Sequence, residues 1–383
     1  MGYTETELED SLKSEPKTPI LGKGIKGKEA NELVDRISDL PDHIIAQILS
    51  FLETEEANMY CEIVALQTFS DLSLFVHYQW TMLEDLTLFV LLDWIKMLNF
   101  DISVPTLRNL HLQLKNVGNS YKKKHDVIIN TPNLESLSIE DDSFAQYLVK
   151  NLARVSNVDV NYDASILFRN VAPKHINRLL ELLKGVSATQ LLTLHWSTVD
   201  VLGSALPLSY TWPTYPYLTT LIMHLDSFSG WACFLKLLNS APRLELLFLD
   251  LVSGSLLGMI TCFYWHEGLN DVSSDDDDSD DLDDELYEWT PPDSVSACLL
   301  GHLELIGIQH FKGNKDELKV VEYILNKTRA LQCIMIGYDP DYRNEEVVKK
   351  LMTFSRASKT CDIQIYQRVG YKIDSPNDVS IGG

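Results

Sequence analysis

Four histidines, His111, His195, His224 and His302, fall at strand-like positions in the alternating segments of this chain. Imidazole is the side chain that most readily moves protons near neutral pH or ligates a metal. Catalysis would need a nucleophile and an orienting acid within hydrogen-bond reach. The sequence offers no such constellation: it has no Gly-x-Ser-x-Gly, no phosphate-cradling Walker loop and no His-Glu-x-x-His. "GKGIKGKEA" at 22–30 is rich in Gly and Lys but follows no strand, and reads as a linker. Cysteines stand at 61, 233, 262, 298, 333 and 361, without a Cys-x-x-Cys pair or zinc-finger histidine spacing. Cys298 and Cys333 read as small buried apolar groups. The sequence therefore leads us to expect no catalytic residue, no cofactor and no metal site, and a chain that is not itself an enzyme.

Composition narrows the partners. The chain has 383 residues, 45% of them hydrophobic, and a net charge of −23 from 55 acids against 32 Lys and Arg. Binding to nucleic acid wants a basic footprint, so no nucleic-acid partner is expected. The one basic run, "YKKKH" at 121–125, reads as a solvated loop. The longest apolar runs, such as "LFVLLDW" at 88–94, are too short to span a bilayer, so no membrane partner is expected. The start lacks an apolar signal segment, and few thiols suit a reducing compartment. The expected location is nucleus, cytoplasm or both.

The elements follow from periodicity. In "DRISDLPDHIIAQILSFLETEEA", 35–57, Asp39 caps a helix with Pro41 in its first turn. Ile44, Ile45, Ile48, Leu49 and Leu52 make one apolar stripe along it, and Leu40 packs back on its start. Such a stripe serves either the helix's own domain or a partner groove. Asn58 to Leu66 is expected to continue as helix, with Met59, Ile63 and Leu66 on one side.

A repeat follows. "VPTLRNLHLQL", "TPNLESLSIE", "ATQLLTLHWS", "YPYLTTLIMHL" and "SAPRLELLFLD" carry Leu-x-x-Leu-x-Leu or near variants, with first leucines taken at 107, 134, 191, 218 and 244. A degenerate unit, 152–163, fills the double-length gap through Val155, Val158 and Val160. The alternation predicts short strands with one face inward, which only stacking can bury. Helical stretches are expected at 176–186 and 234–242. The residues expected on or beside the strands, some of them facing solvent, are Asn109, His111, Gln113, Ser136, Ser138, Thr193, His195, Thr220, Met223, Glu245 and Phe248. From Asp275 to Glu285 nine of eleven residues are acidic, which resists folding and predicts a solvated insert. Ser273, Ser274 and Ser279 within it suit an acid-seeking kinase. Beyond the insert, Leu303 to Ile308, Leu331 to Ile336 and 360–366 read as strands, with helices at 317–325 and 344–353 between them.

Three stretches resemble one known family. "LVDRISDLPDHIIAQILSFLETEEA" is similar to the first half of a plant F-box, although the family's Lys-Arg-Trp element is absent from 58–80. The middle resembles leucine-rich repeats. Trp289 with Pro291, "CLLGHLELIGIQHFKG", "DELKVVEYILNKTRALQCIMI" and "CDIQI" resemble the FBD domain. The resemblance implies an α/β chain: a short N-terminal helical F-box-like segment, then a leucine-rich-repeat solenoid with a curved parallel sheet, capped by an FBD domain. It divides the chain into a tail (1–32), a partial F-box-like helical segment (33–80), repeats (81–265), the acidic insert (266–288), the FBD domain (289–366) and a second tail (367–383). It implies that Leu40, Pro41, Ile44, Ile45, Ile48, Leu49 and Leu52 dock a Skp-family adaptor, and through it a cullin. The chain would then be a substrate-recognition subunit of a Skp–cullin–F-box ubiquitin ligase, holding an unnamed protein target on its repeat and FBD surface. The alternative is a diverged interaction module that has left the ligase.

Overall fold

The computed structural model describes residues 58–64, 71–77, 83–91, 97–116, 124–163, 171–205, 210–225, 229–251, 289, 291–292, 294–338 and 344–367. Residues 33–57, with all seven expected adaptor contacts, lie outside the described residues, as does the acidic run from Asp275 to Glu285.

The strands form two parallel sheets. The larger has eleven described strands in the order β1 (Asn58–Val64), β3 (Asp85–Leu91), β5 (Asn109–Lys115), β7 (Ser136–Asp141), β9 (Asn157–Tyr162), β10 (Leu191–Leu194), β11 (Thr220–His224), β12 (Leu246–Asp250), β13 (Leu305–Gln309), β14 (Cys333–Tyr338) and β15 (Asp362–Gln367). The smaller consists of β2 (Asp71–His77), β4 (Met97–Ser103), β6 (Lys124–Asn130) and β8 (Gln146–Lys150). The chain alternates between the sheets up to β9. From there helices take over the second layer: α1 (Pro173–Gly185), α2 (Trp196–Ala205), α3 (Ser229–Ser240), α4 (Ala297–Gly301), α5 (Lys315–Lys327) and α6 (Glu345–Thr353). α1 packs beside β8, and α1 to α5 follow one another side by side. One continuous core joins both sheets and the helices.

The repeat has a clear physical basis. Four units open with a β-turn closed by a backbone hydrogen bond: Leu107 N to Val104 O, Leu134 N to Thr131 O, Leu218 N to Tyr215 O, Leu244 N to Ala241 O. The turns read Val-Pro-Thr-Leu, Thr-Pro-Asn-Leu, Tyr-Pro-Tyr-Leu and Ala-Pro-Arg-Leu. Proline at the second turn position pre-sets the backbone angle the turn needs. The leucine that ends each turn is buried, and so are the residues three and five further on, as at Leu107, Leu110 and Leu112 or Leu244, Leu247 and Leu249. Leu191 is not the first leucine of its unit. Thr189 holds that place, because Leu192 pairs with Leu221 and Leu191 with Thr220. The buried Thr189 hydroxyl finds acceptors at Ser156 O (2.6 Å) and Leu191 O (2.8 Å), which is why a polar residue is tolerated there.

Two expectations are corrected. Asn58–Val64 is a strand, not a helix: it pairs in parallel with β3 over its whole length, Asn58 to Asp85 and Val64 to Leu91. Asp71–His77 is likewise a strand, so the part of 33–80 that is described is sheet. "NMYCEIV" alternates well enough for either reading, and pairing with a ready strand edge decides it. In "YKKKH", Lys124 opens β6 and His125 is buried rather than solvated.

The expected C-terminal elements are present, and β13 to β15 continue the large sheet rather than forming a separate one. Leu249 of β12 pairs with Ile308 of β13, although residues 252–288 intervene in sequence. α5 starts from a capping box. Asn314 accepts from Glu317 N (2.8 Å), while the buried Glu317 carboxylate accepts from Gly313 N, Lys312 N and Asn314 Nδ2 at 2.7–2.9 Å. Gly313 takes a left-handed φ of 77°, and any β-carbon there would collide with Val347.

A buried carboxylate organises the crossing from β7 to β8. Asp141 accepts from Ser143 N (2.7 Å), Ser143 Oγ (2.5 Å), Ala145 N (2.9 Å) and Tyr147 Oη (3.0 Å). Burial raises its pKa, and these donors pull against that rise. Phe144, inside this turn, is left-handed at φ 58°. Its ring meets Tyr162 edge-on and lies 4.4 Å from the His175 ring. Next to it, burial pushes Asp142 up to about 7.

Asp141→Ala is expected to cost about 3 kcal/mol in denaturant unfolding, since it strands several buried donors. A raised acid stabilises the fold while it is protonated. That contribution is present below the ordinary carboxylate value of 3.8 and is lost as pH rises to about 7. Asp142→Asn should therefore raise the unfolding temperature at pH 8 by about 2–4 °C, as about 1 kcal/mol would, with little change at pH 4.

Candidate functional site

One face of the large sheet packs on the second layer and the other is open. Register places the open-face residues in rows across the strands. One row runs Thr87, His111, Ser138, Asp159, Thr193, Ile222, Phe248, Gly307, Met335, Gln364. The next row toward the strand ends runs Phe89, Gln113, Glu140, Asn161, then His224, Asp250, Gln309. The face is polar from β5 to β10 and largely apolar from β11 to β14.

The polar half is cross-linked strand to strand. His111 Nδ1 lies 2.9 Å from Ser138 Oγ, and Gln113 Nε2 donates to Glu140 (2.8 Å), which also meets Lys115 at 3.7 Å. His195 Nε2 stands 3.0 Å from Asp159 Oδ1, and its ring stacks on His224 with centroids 4.8 Å apart. His224 Nδ1 reaches Asp250 Oδ2 at 3.1 Å, and the other Asp250 oxygen is held by His310 Nδ1. His310 adopts φ 54° just beyond β13, which turns its ring back over the strand ends. Burial would raise the Asp250 carboxyl, but hydrogen bonds from His224 and His310 outweigh it and hold the pKa below the usual range.

These contacts tie the face's polar groups to one another, although Asp159 Oδ1 lacks a well-aligned hydrogen bond. Ser138, His111 and Glu140 superficially resemble a nucleophile, base and acid, yet His111 Nε2 and Glu140 are 4.0 Å apart on an open sheet with Gln113 and Lys115 also on the acid. Among the described residues, no group of three or more His, Cys, Asp or Glu is arranged to hold a metal ion. No helix among them is long and apolar enough to cross a membrane.

Of the residues expected on or beside the strands, Asn109, His111, Gln113, Ser136, Ser138, Thr193, Thr220 and Phe248 lie on the open face. His195 follows β10 directly and joins them. Met223 is a strand residue as expected but faces the core, fully buried opposite Leu249. Glu245 precedes its strand at the rim. His302 is no strand residue but the exposed C-cap of α4. Cys298 is buried as expected, whereas Cys333 is half-buried on the open face. Asp159, Asp250 and His310 were missed. Their signal was present for the first two, which sit at alternate strand positions beside inward Val160 and Leu249.

The FBD family model matches residues 291–336, from just ahead of α4 into β14. Over most of its length the chain is similar to plant F-box/FBD proteins. It is 26% identical over 271 residues to an FBD-associated F-box protein of Arabidopsis thaliana, covering 69% of this chain and 53% of the relative. An F-box/LRR-repeat protein of the same plant is 27% identical over 259 residues, covering 64% and 52%. An F-box/FBD/LRR-repeat protein, also from Arabidopsis, is 24% identical over 295 residues, covering 74% and 58%. The chain thus spans about half the length of the curated relatives it matches. The matched segment contains β13 and most of β14, which extend the large sheet beyond β12.

A depressed acid contributes stability above its unfolded value, and that contribution is lost as pH falls through the folded value. Asp250→Asn should therefore lower stability by about 1 kcal/mol at pH 6, and the gap to wild type should close by pH 2 in matched unfolding curves.

Proposed function

We propose that this chain is a substrate-recognition subunit of a Skp–cullin–F-box ubiquitin ligase, working in the nucleus, the cytoplasm or both. Residues 33–57 dock the Skp-family adaptor through Leu40, Pro41, Ile44, Ile45, Ile48, Leu49 and Leu52. The stacked strands are a leucine-rich-repeat solenoid, and the open face together with the FBD surface holds a protein target. The chain contributes proximity rather than chemistry, and transfer belongs to the ligase. One observation carries this reading: a long parallel sheet with an open, side-chain-diverse face in a chain of F-box/FBD ancestry. Repeat scaffolds of this kind present extended binding surfaces.

A second reading has its own support. β1 begins at Asn58, directly after the F-box-like stretch, so the sheet occupies the sequence where the rest of an F-box would fall. A module cut to 33–57 buries little, and it would either fold only on the adaptor or have left the ligase.

Purified full-length chain is expected to capture a plant Skp-family adaptor at about micromolar affinity. Changing Leu40 and Pro41 to Ala and Leu49 to Asp should abolish capture and leave the circular dichroism unchanged. Absence of capture by a folded chain would establish the second reading.

A further inference from the structure

The C-terminal half of the open face differs from the rest in one respect: aromatic rings lie against glycines. Gly307 pairs with Phe248 across β12 and β13, and a β-carbon on Gly307 would come within 2.7 Å of the Phe248 ring. Gly337 pairs with Tyr366 across β14 and β15, and a β-carbon there would come within 3.1 Å of the Tyr366 ring. Each missing side chain lets a ring settle onto the sheet. Gln309 Nε2 donates to Tyr366 Oη at 2.6 Å and fixes that ring. Met335, half-buried, shares the row of Phe248 and Gly307 and stands two residues before Gly337, the partner of Tyr366. The result is a low apolar floor instead of the cross-linked polar rows of β5 to β10.

Carboxylates border this floor. Glu245 and Glu304 are adjacent on the rim where the strands begin, because Glu304 N donates to Glu245 O. Both are exposed, and Glu304 also accepts from Gln332 Nε2 at 2.9 Å. Asp362 is exposed on the edge strand, and Asp250 stays ionised at the strand ends. Arg243, two residues before Glu245, is the nearby described cation in the same turn and is exposed.

We infer that the face of β12 to β15 docks an unfolded or extended protein segment carrying a large apolar side chain flanked by Lys or Arg. The apolar group seats between Phe248 and Tyr366 over Met335, and the flanking cations meet Glu245, Glu304 and Asp362. This rests on the reading that the open face holds a protein target, and it names the chemistry of that target. Apolar anchors ringed by complementary charge are how such surfaces gain both affinity and direction.

The test is selection of a random peptide display library on the immobilised full-length chain, followed by binding measurements on the enriched peptides. Peptides with a large apolar residue between basic ones are expected. They should bind about tenfold more weakly to Phe248→Ser and to Glu245→Lys combined with Glu304→Lys, and unchanged to Gln113→Ala on the polar half. Matching circular dichroism and unfolding midpoints keep the variants comparable, and Tyr366→Ser serves if Phe248→Ser unfolds. Enriched peptides that are acidic, lack the anchor, or lose affinity only through Gln113→Ala overturn this inference while leaving the open face as the target site. Peptides insensitive to every face variant, or no enrichment over bare support, overturn both. Self-association of the chain that Phe248→Ser abolishes, read by sedimentation, would show that a second copy covers the floor and would also overturn it.

Discussion

A forked hydrogen bond sets the register of the large sheet from β3 to β14. At the start of each strand from β5 to β14 one carbonyl of the preceding unit accepts two successive N–H groups. Glu84 O takes Arg108 N and Asn109 N, Arg108 O takes Glu135 N and Ser136 N, and the pattern runs on through Glu135, Ser156, Gln190, Thr219, Glu245 and Glu304. A carbonyl has two lone pairs, so the fork satisfies two donors where the chain bends from turn to strand. It fixes where each unit sits on its neighbour before any side chain packs. The fork is absent at the last step, where Gln332 O receives Asp362 N alone, and there Cys361 rather than Thr360 is buried ahead of Ile363, which keeps its register with Ile334.

Given that register, burial follows a simple rule. Residues at alternate strand positions point into the core, and the turn leucine closes it from below. Because the forks care about backbone and not side chain, a unit can carry Val155, Thr189 or Leu303 in the first position and still stack. The same indifference lets residues 252–288 intervene between β12 and β13 without changing the register of Leu249 on Ile308. It also leaves the outward residues unconstrained by the stacking itself.

The second layer shows where local and global preferences meet. Up to β8 the return segments are strands, and from α1 onward they are helices. In α1, Ile176, Leu179, Leu180 and Leu183 recur at helical spacing, and the segment follows its own periodicity. The β7–β8 crossing has no such pattern. Asp141 gathers the backbone of Ser143 and Ala145 there into a turn and makes the strand return possible.

The sequence by itself determined the turn–strand pattern, because Pro before Leu and period-two alternation are local signals. It determined α1, α5 and α6, whose apolar stripes, and for α5 and α6 the Asn caps, are written within a dozen or so residues. Dense local matches carry its resemblance to plant F-box/FBD proteins. Only the tertiary structure decided that 58–64 is a strand, since a short alternating segment takes the form its neighbour's edge offers. The small sheet of β2, β4, β6 and β8 was likewise not legible, because nothing in "DLSLFVH" or "MLNFDIS" says which sheet it joins. The site followed the same division. Which residues face outward could be counted off strand by strand, apart from the one-residue slip at Leu191 and the inward Met223. That His195, His224, Asp250 and His310 meet, or that Phe248 lies on Gly307, depends on parallel register between segments up to about sixty residues apart. No local pattern encodes that distance.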